Sequence, residues 1–369
     1  MSLPCRLVPL VVCLSAMPAC AVNRPATDPP VGGHVCTEIA GPPSLALTSD
    51  WGKTLVQSRT PRDGLARVEG VVALGTPNAL VALIGNHRQR GVHELYLSVD
   101  GGCHWESRGN IAADHLFAGR DGVAYAVGPE LYAISARDVE KRATPPESFQ
   151  GLAVDETDPK HVRSLGHQHV FDSTDRGATW VQIADLEVGE VDRPGGIVFG
   201  GRGLDQIVAM GSPERAPRET HDGGRHWVTS TGCPHCYNGV FAPDGRTVWG
   251  LGMQLFRSTD GGATFALAAN PFPPNGVLLV GSHPDPDTLL LSQGGTVPSA
   301  LVRVDLRSLT SIRQELPLLW DLKEEHDPHV SEHVVAATFV PGAPGLVCLG
   351  IDREVIGSPP PGVETAVPR

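Results

Sequence analysis

Along this chain, apolar and polar positions alternate on a short rhythm. Brief apolar runs such as Leu95-Tyr96-Leu97, Val170-Phe171 and Leu255-Phe256 lead into small polar stretches rich in glycine. Alternation then resumes, as in Trp180-Val181-Gln182-Ile183 and Trp227-Val228-Thr229-Ser230. Period-two alternation on both sides of a glycine turn is the mark of a β-hairpin. No segment sustains a long helical period. The pattern therefore predicts an all-β chain of many short strands.

The turns recur. "STDGGATF" at 258–265 is matched by "STDRGATW" at 173–180, "THDGGRHW" at 220–227, "SVDGGCHW" at 98–105 and "TSDWGKTL" at 48–55. Two worn sites follow from the flanks: "ISARDVEK" at 134–141, where Ala136 replaces the aspartate, and "LVRVDLRS" at 301–308. Units starting near 48, 98, 134, 173, 220, 258 and 304 lie 36 to 50 residues apart, the size of one propeller blade. The octet has a physical logic. The aspartate accepts hydrogen bonds from nearby backbone N–H groups and shuts the turn. Glycine supplies positive φ without a Cβ clash. The closing Trp or Phe plugs the next strand with a large apolar face. One such unit cannot bury its own faces, so neighbours must stack.

The octet resembles the Asp-box (BNR) repeat, over nearly all of residues 40–350. That family includes sialidases, some endoglucanases, sorting-receptor ectodomains and photosystem II assembly factors. The resemblance implies a β-propeller of seven four-stranded blades, with the boxes at the blade periphery, away from the ligand face. Asp50, Gly52, Asp100, Gly102, Trp105, Asp175, Gly177, Trp180, Asp222, Gly224, Trp227, Asp260, Gly262 and Phe265 would then be structural. Ring closure is expected from "VVAATFV" (334–340) or "GLVCLGI" (345–351) pairing with a strand near residue 45.

Composition agrees with a turn-rich β protein: 43 Gly, 33 Pro, 41% hydrophobic and 19% charged residues in 369. A net charge of −12 argues against nucleic acid, which needs a basic patch. Residues 1–20 form an export signal: Arg6, then an apolar run from Leu7 to Ala16 too short to span a bilayer. Cleavage before Cys20 would leave a cysteine for lipid attachment, the favoured reading, and cleavage after Ala21 would give plain secretion. Residues 21–35 read as a flexible tether, 36–356 as the propeller and 357–369 as a disordered tail. In an oxidising compartment the remaining cysteines tend to pair. Cys233 with Cys236 and Cys36 with Cys348 are the expected bridges, leaving Cys103 over.

Candidate chemistry is sparse. The resemblance raises sialidase activity, but the family's Arg-Ile-Pro signature is missing. Of four tyrosines, Tyr96, Tyr125 and Tyr132 fall in apparent strands and only Tyr237 in a loop. Another glycosidase would need two facing carboxylates, for which Glu187, Glu190, Asp192, Glu324 and Glu325 are available. His326, His329 and His333 could ligate a metal, though Pro328 breaks the spacing and a polar loop is favoured. "CPHC" at 233–236 lacks the helix of a redox motif and reads as a loop staple. No cofactor is expected. The reading is a monomeric, exported binding module for a protein or glycan, touching a membrane only through an anchor. The resemblance to the photosystem II assembly group, which carries arginines on its binding face, implies such a role for Arg202, Arg215 and Arg218, though no motif assigns them, and glycan hydrolysis is the alternative.

Overall fold

The computed structural model describes residues 36–355 apart from 60–65, 87–88, 120, 148, 187–195, 201–202, 211–214, 243, 253, 270–276, 283–286, 294–298, 318–329 and 344. The Cys20 site, the tether and the tail lie outside the described residues, as do Glu187, Glu190, Asp192, Arg202, Glu324, Glu325, His326 and His329. What is described forms seven four-stranded antiparallel sheets. From the inside outward, blade 1 holds Ala66–Ala73, Leu80–Asn86, Gln89–Ser98 and Glu106–Ile111. Blade 2 holds His115–Ala118, Val123–Val127, Leu131–Ser135 and Val139–Arg142, and blade 3 holds Gly151–Val154, Val162–Leu165, His169–Ser173 and Val181–Asp185. Blade 4 comprises Ile197–Phe199, Ile207–Ala209, Arg218–Thr220 and Val228–Thr229, and blade 5 comprises Asn238–Phe241, Val248–Leu251, Leu255–Ser258 and Ala266–Ala269. Blade 6 comprises Val277–Ser282, Thr288–Gln293, Ala300–Asp305 and Thr310–Glu315.

Blade 7 is shared between the chain's two ends. Its inner strands are Val330–Phe339 and Val347–Val355, and its outer strands are Leu45–Thr48 and Val56–Gln57. Leu45 pairs with Gly350 and Thr48 with Val347, so "GLVCLGI" closes the ring. Each inner strand packs against the next, and blade 7 returns to blade 1. Apolar side chains gather in seven clusters, one at each seam, for example Tyr125, Leu131, Leu152 and Val162 between blades 2 and 3. A blade thus buries its faces only against its neighbours.

Every junction between a third and a fourth strand is one of the seven recurring sites. At Thr48, Ser98, Ser173, Thr220 and Ser258 the hydroxyl donates to the aspartate two residues on and accepts the N–H of the glycine four residues on. The aspartate's Oδ1 accepts the N–H four residues further, and its Oδ2 meets Thr54, His104, Thr179, His226 or Thr264. Gly52, Gly102, Gly177, Gly224 and Gly262 lie at φ between +81° and +106°. They also abut a neighbouring blade: a Cβ on Gly224 would stand 2.7 Å from Val170 Cγ2 in blade 3, and one on Gly262 2.5 Å from Val208 Cγ2 in blade 4. The octet is therefore both a corner and a seam contact.

The cysteine pairing corrects one expectation. Cys36 bonds to Cys103, and Cys348 is a buried free thiol. Cys348 sits inside blade 7 opposite Leu47, at 0% exposure. Residues 36–41 instead run between the outer strand of blade 7 and the corner of blade 1. Ile39 N–H donates to Gln57 O, and Trp105 N–H to Ala40 O. Cys233 and Cys236 are bonded to each other and buried in the loop joining blades 4 and 5.

Candidate functional site

In an antiparallel blade, the loops from second to third strand and the entries into the inner strand lie at the opposite end of the sheet from the corners. That upper face carries the described chemistry. Glu69, on the inner strand of blade 1, sits where the register slips between Val68 and Gly70, and such a bulge re-aims a side chain. Glu69 Oε1 lies 3.5 Å from His93 Nε2 and 3.4 Å from Arg67 Nε. His93 Nδ1 is 3.8 Å from Asp114 Oδ1, and Asp352 of blade 7 reaches Arg67 at 4.0 Å. Gly85 makes the room, since a Cβ there would come within 2.5 Å of His93 Cδ2 and 2.9 Å of Glu69 Oε1. The hydrogen bond to Glu69 raises the His93 pKa against the opposing effect of burial. Burial alone would raise Glu69, but His93 and Arg67 hold it below the usual carboxylate range. Burial depresses His115, beside Asp114, and favours its neutral form.

From Asp114 and His115 a groove of about 440 Å³ opens across blades 2 and 3. One wall is Val127-Gly128-Pro129 and the other is Thr144, Pro145, Pro146, Glu147 and Phe149. Glu147 fastens this second wall to the next loop: it accepts the N–H groups of Gln168 and His169 and meets the His169 ring. Burial would raise its pKa, yet those hydrogen bonds keep it low and charged. Trp180 supports the same wall. Its indole N–H donates to Ala143 O at 2.7 Å, and its ring meets Phe149 edge-on, whereas Trp105 and Trp227 donate within their own corners.

The octet residues named from sequence all lie in the corners, and Trp180 alone also reaches the groove wall. Among the described residues Tyr96 pairs with Glu94 and Tyr132 with Glu130, both on or beside third strands rather than on the inner strands. Tyr237, in the loop before blade 5, donates to Gly252 O at 3.3 Å. His333 lies on the inner strand of blade 7, and no group of three metal-ligating side chains occurs among the described residues. Arg215 is exposed, and Arg218 holds Trp227 O from the third strand of blade 4. Sequence pattern missed Glu69, His93 and Asp114, which are 45 residues apart at the extremes and lie in no repeated motif. Glu147 and the prolines of "ATPPESF" carried a weak signal, as a proline-rich break between two strands.

No family model matches the chain. A "Dispase autolysis-inducing protein" of Streptomyces mobaraensis is 28% identical over 359 residues, covering 87% of this chain and 90% of that protein. Among solved structures, "YCF48 bound to D1 peptide" superposes with a TM-score of 0.52 at 14% identity, over 85% of this chain and 99% of that one. An ancestral GH74 enzyme superposes with a TM-score of 0.54 at 12% identity, over 79% of this chain and 45% of that one. At these identities the likeness to both structures is one of fold. The chain is similar in architecture to a peptide-binding propeller and to a glycoside hydrolase alike.

Proposed function

We propose that this chain is an exported Asp-box propeller that binds a protein partner at the cell envelope through its upper face. One observation carries the choice. The groove over blades 2 and 3 is walled by Pro129, Pro145, Pro146 and Phe149, and of its two carboxylates Glu147 is occupied in holding a loop and Asp114 lies beside His93. A retaining glycosidase needs two carboxylates facing each other across about 5 Å. A sialidase needs its tyrosine–glutamate pair at the ligand face, and the pairs Tyr96–Glu94 and Tyr132–Glu130 among the described residues lie toward the blade exterior. The uniform bonding of the five corners supports the Asp-box assignment. The two disulfides support export, to which the residue 1–20 signal and a lipid on Cys20 belong. The name of the Streptomyces relative makes another protein its target, and the same class of target is proposed here.

The test uses the chain from residue 21 onward. It is mixed with Dispase, binding is read by calorimetry and fragmentation by electrophoresis, and a panel of nitrophenyl glycosides and a methylumbelliferyl sialoside is run beside it. Saturable binding with accelerated self-cleavage, and no chromophore release, is the expected result. Catalytic release of chromophore without protein binding would replace this proposal with glycan hydrolysis.

A further inference from the structure

The groove over blades 2 and 3 offers few side-chain donors among its described lining, the His115 ring and the Thr144 hydroxyl. Pro129, Pro145 and Pro146 have no N–H. The N–H groups of Asp114 and Gly128 already donate to the carbonyls of Val127 and Glu130. No lysine or arginine lines the groove among the described residues. Its charges are the carboxylates of Asp114, where the groove begins, and of Glu147 on the second wall. Asp114 is 43% exposed and its ionic contact with His93 is long, at 3.8 Å, so it has capacity for a further partner. A ligand seated here must bring its own donors and positive charge, and must cover proline rings and the Phe149 face. An anionic sugar or an acidic peptide would meet like charge and find few donors.

We infer that this groove takes an extended protein segment in which a lysine or arginine, flanked by proline or aliphatic residues, seats its cation on Asp114. The inference rests on the protein-binding proposal and adds the chemistry of the partner. A cationic side chain can satisfy the Asp114 carboxylate by a charge-assisted hydrogen bond. A proline-flanked segment is already extended, so little conformational freedom is lost on seating it. The volume of about 440 Å³ suits a few residues rather than a whole domain surface.

The experiment pans phage-displayed random hexapeptides on the chain from residue 21 onward, then titrates synthetic versions of the enriched sequences by fluorescence anisotropy at low and high salt. Deuterium exchange locates the contact. Enriched sequences should carry lysine or arginine beside proline or aliphatic residues, and should protect segments 113–115, 127–130 and 144–147. Asp114→Asn should weaken binding roughly tenfold, as expected for a lost charge-assisted contact. Thr144→Lys, at an exposed position on the wall, should weaken it as well, and high salt should weaken wild-type binding. Enrichment of acidic or uncharged sequences, insensitivity to both substitutions, or protection by a glycan would each overturn the inference. If Dispase binds but protects a different surface, the groove assignment falls while the protein-binding proposal stands. If neither peptide nor Dispase binds, both fall.

Discussion

At the residue scale, the second glycine of each octet carries two constraints at once. Gly224 has φ +96°, and a side chain there would strike Val170 of blade 3. Gly75 has φ +78° with nothing within 4 Å of the place a Cβ would take, so it isolates the backbone constraint. Gly75→Ala is expected to cost about 1 kcal/mol, the penalty of a left-handed alanine. Gly224→Ala adds overpacking at a seam and is expected to cost about 2–4 kcal/mol. Urea unfolding of the two variants checks this, and equal losses would show that the seam contact contributes nothing. The first glycine position is less strict: Trp51 and Arg176 occupy it at φ +64° and +61°. Trp51 compensates by stacking with Arg303, 4.7 Å from its ring, and by meeting Phe339 edge-on, in the one octet whose last position is Leu55 rather than an aromatic.

At the scale of strands and seams, blades 3 and 4 are joined by a buried ionic network. Arg163, 5% exposed, donates through Nε to Asp172 Oδ1 at 2.7 Å and through Nη1 to Leu204 O and Asp205 Oδ1. His161 bridges Asp172 and Asp155 at 3.0 and 3.1 Å. Removing Arg163 leaves Asp172, 21% exposed, and the Leu204 carbonyl without their buried cation, while Asp205, 62% exposed, stays solvated. Arg163→Met is therefore expected to destabilise by about 2–4 kcal/mol, less than breaking a fully buried pair. A double-mutant cycle with Asp172→Asn should return a coupling of roughly 0.5–3 kcal/mol, and additivity would refute the network. None of this was visible in the sequence, because Arg163 meets Asp205, and Asp155 the Gly203 backbone, only after two blades have docked. What was legible is what the chain repeats. The octets marked every third-to-fourth strand junction, and the alternation around them gave the strands. Sites assembled once, such as Glu69 with His93, have no second copy to betray them. The same limit explains the cysteines: Cys103 stood inside an octet, where its place in the repeat concealed its partner, Cys36.

At the scale of the whole molecule, pH and covalent closure both act on the ring. Burial would raise the Asp155 pKa, but the Thr157 backbone and hydroxyl groups and His161 hold it down at about 2, and Asp260 is held at about 2 by Ser258 and Thr264 against the same effect. An unfolded aspartate titrates near 3.9. A depressed folded value means that the stabilisation is present above about pH 4 and is lost as pH falls toward about 2. The melting temperature is thus expected to hold level from neutral pH down to about 5 and to fall steeply below about 4, as calorimetry across that range would show. A fall centred near pH 6 would assign control to the histidines instead.

The ring's closure carries the remaining prediction. Blade 7 joins segments from the two halves of the ring by strand pairing and apolar packing, while the Cys36–Cys103 bond ties residue 36 to the next blade across a separation of 67 residues. A loop of that length is worth about 2–4 kcal/mol in restricting the unfolded chain, whereas the Cys233–Cys236 loop spans only 3. Cys36→Ser should then reproduce most of the loss in melting temperature caused by dithiothreitol, and reductant should do little more to that variant. If Cys36→Ser melts with the wild type, the hydrogen bonds of Ile39 and Ala40 hold the seam without help from sulfur, and closure rests on the pairing of Leu45–Thr48 with Val347–Gly350.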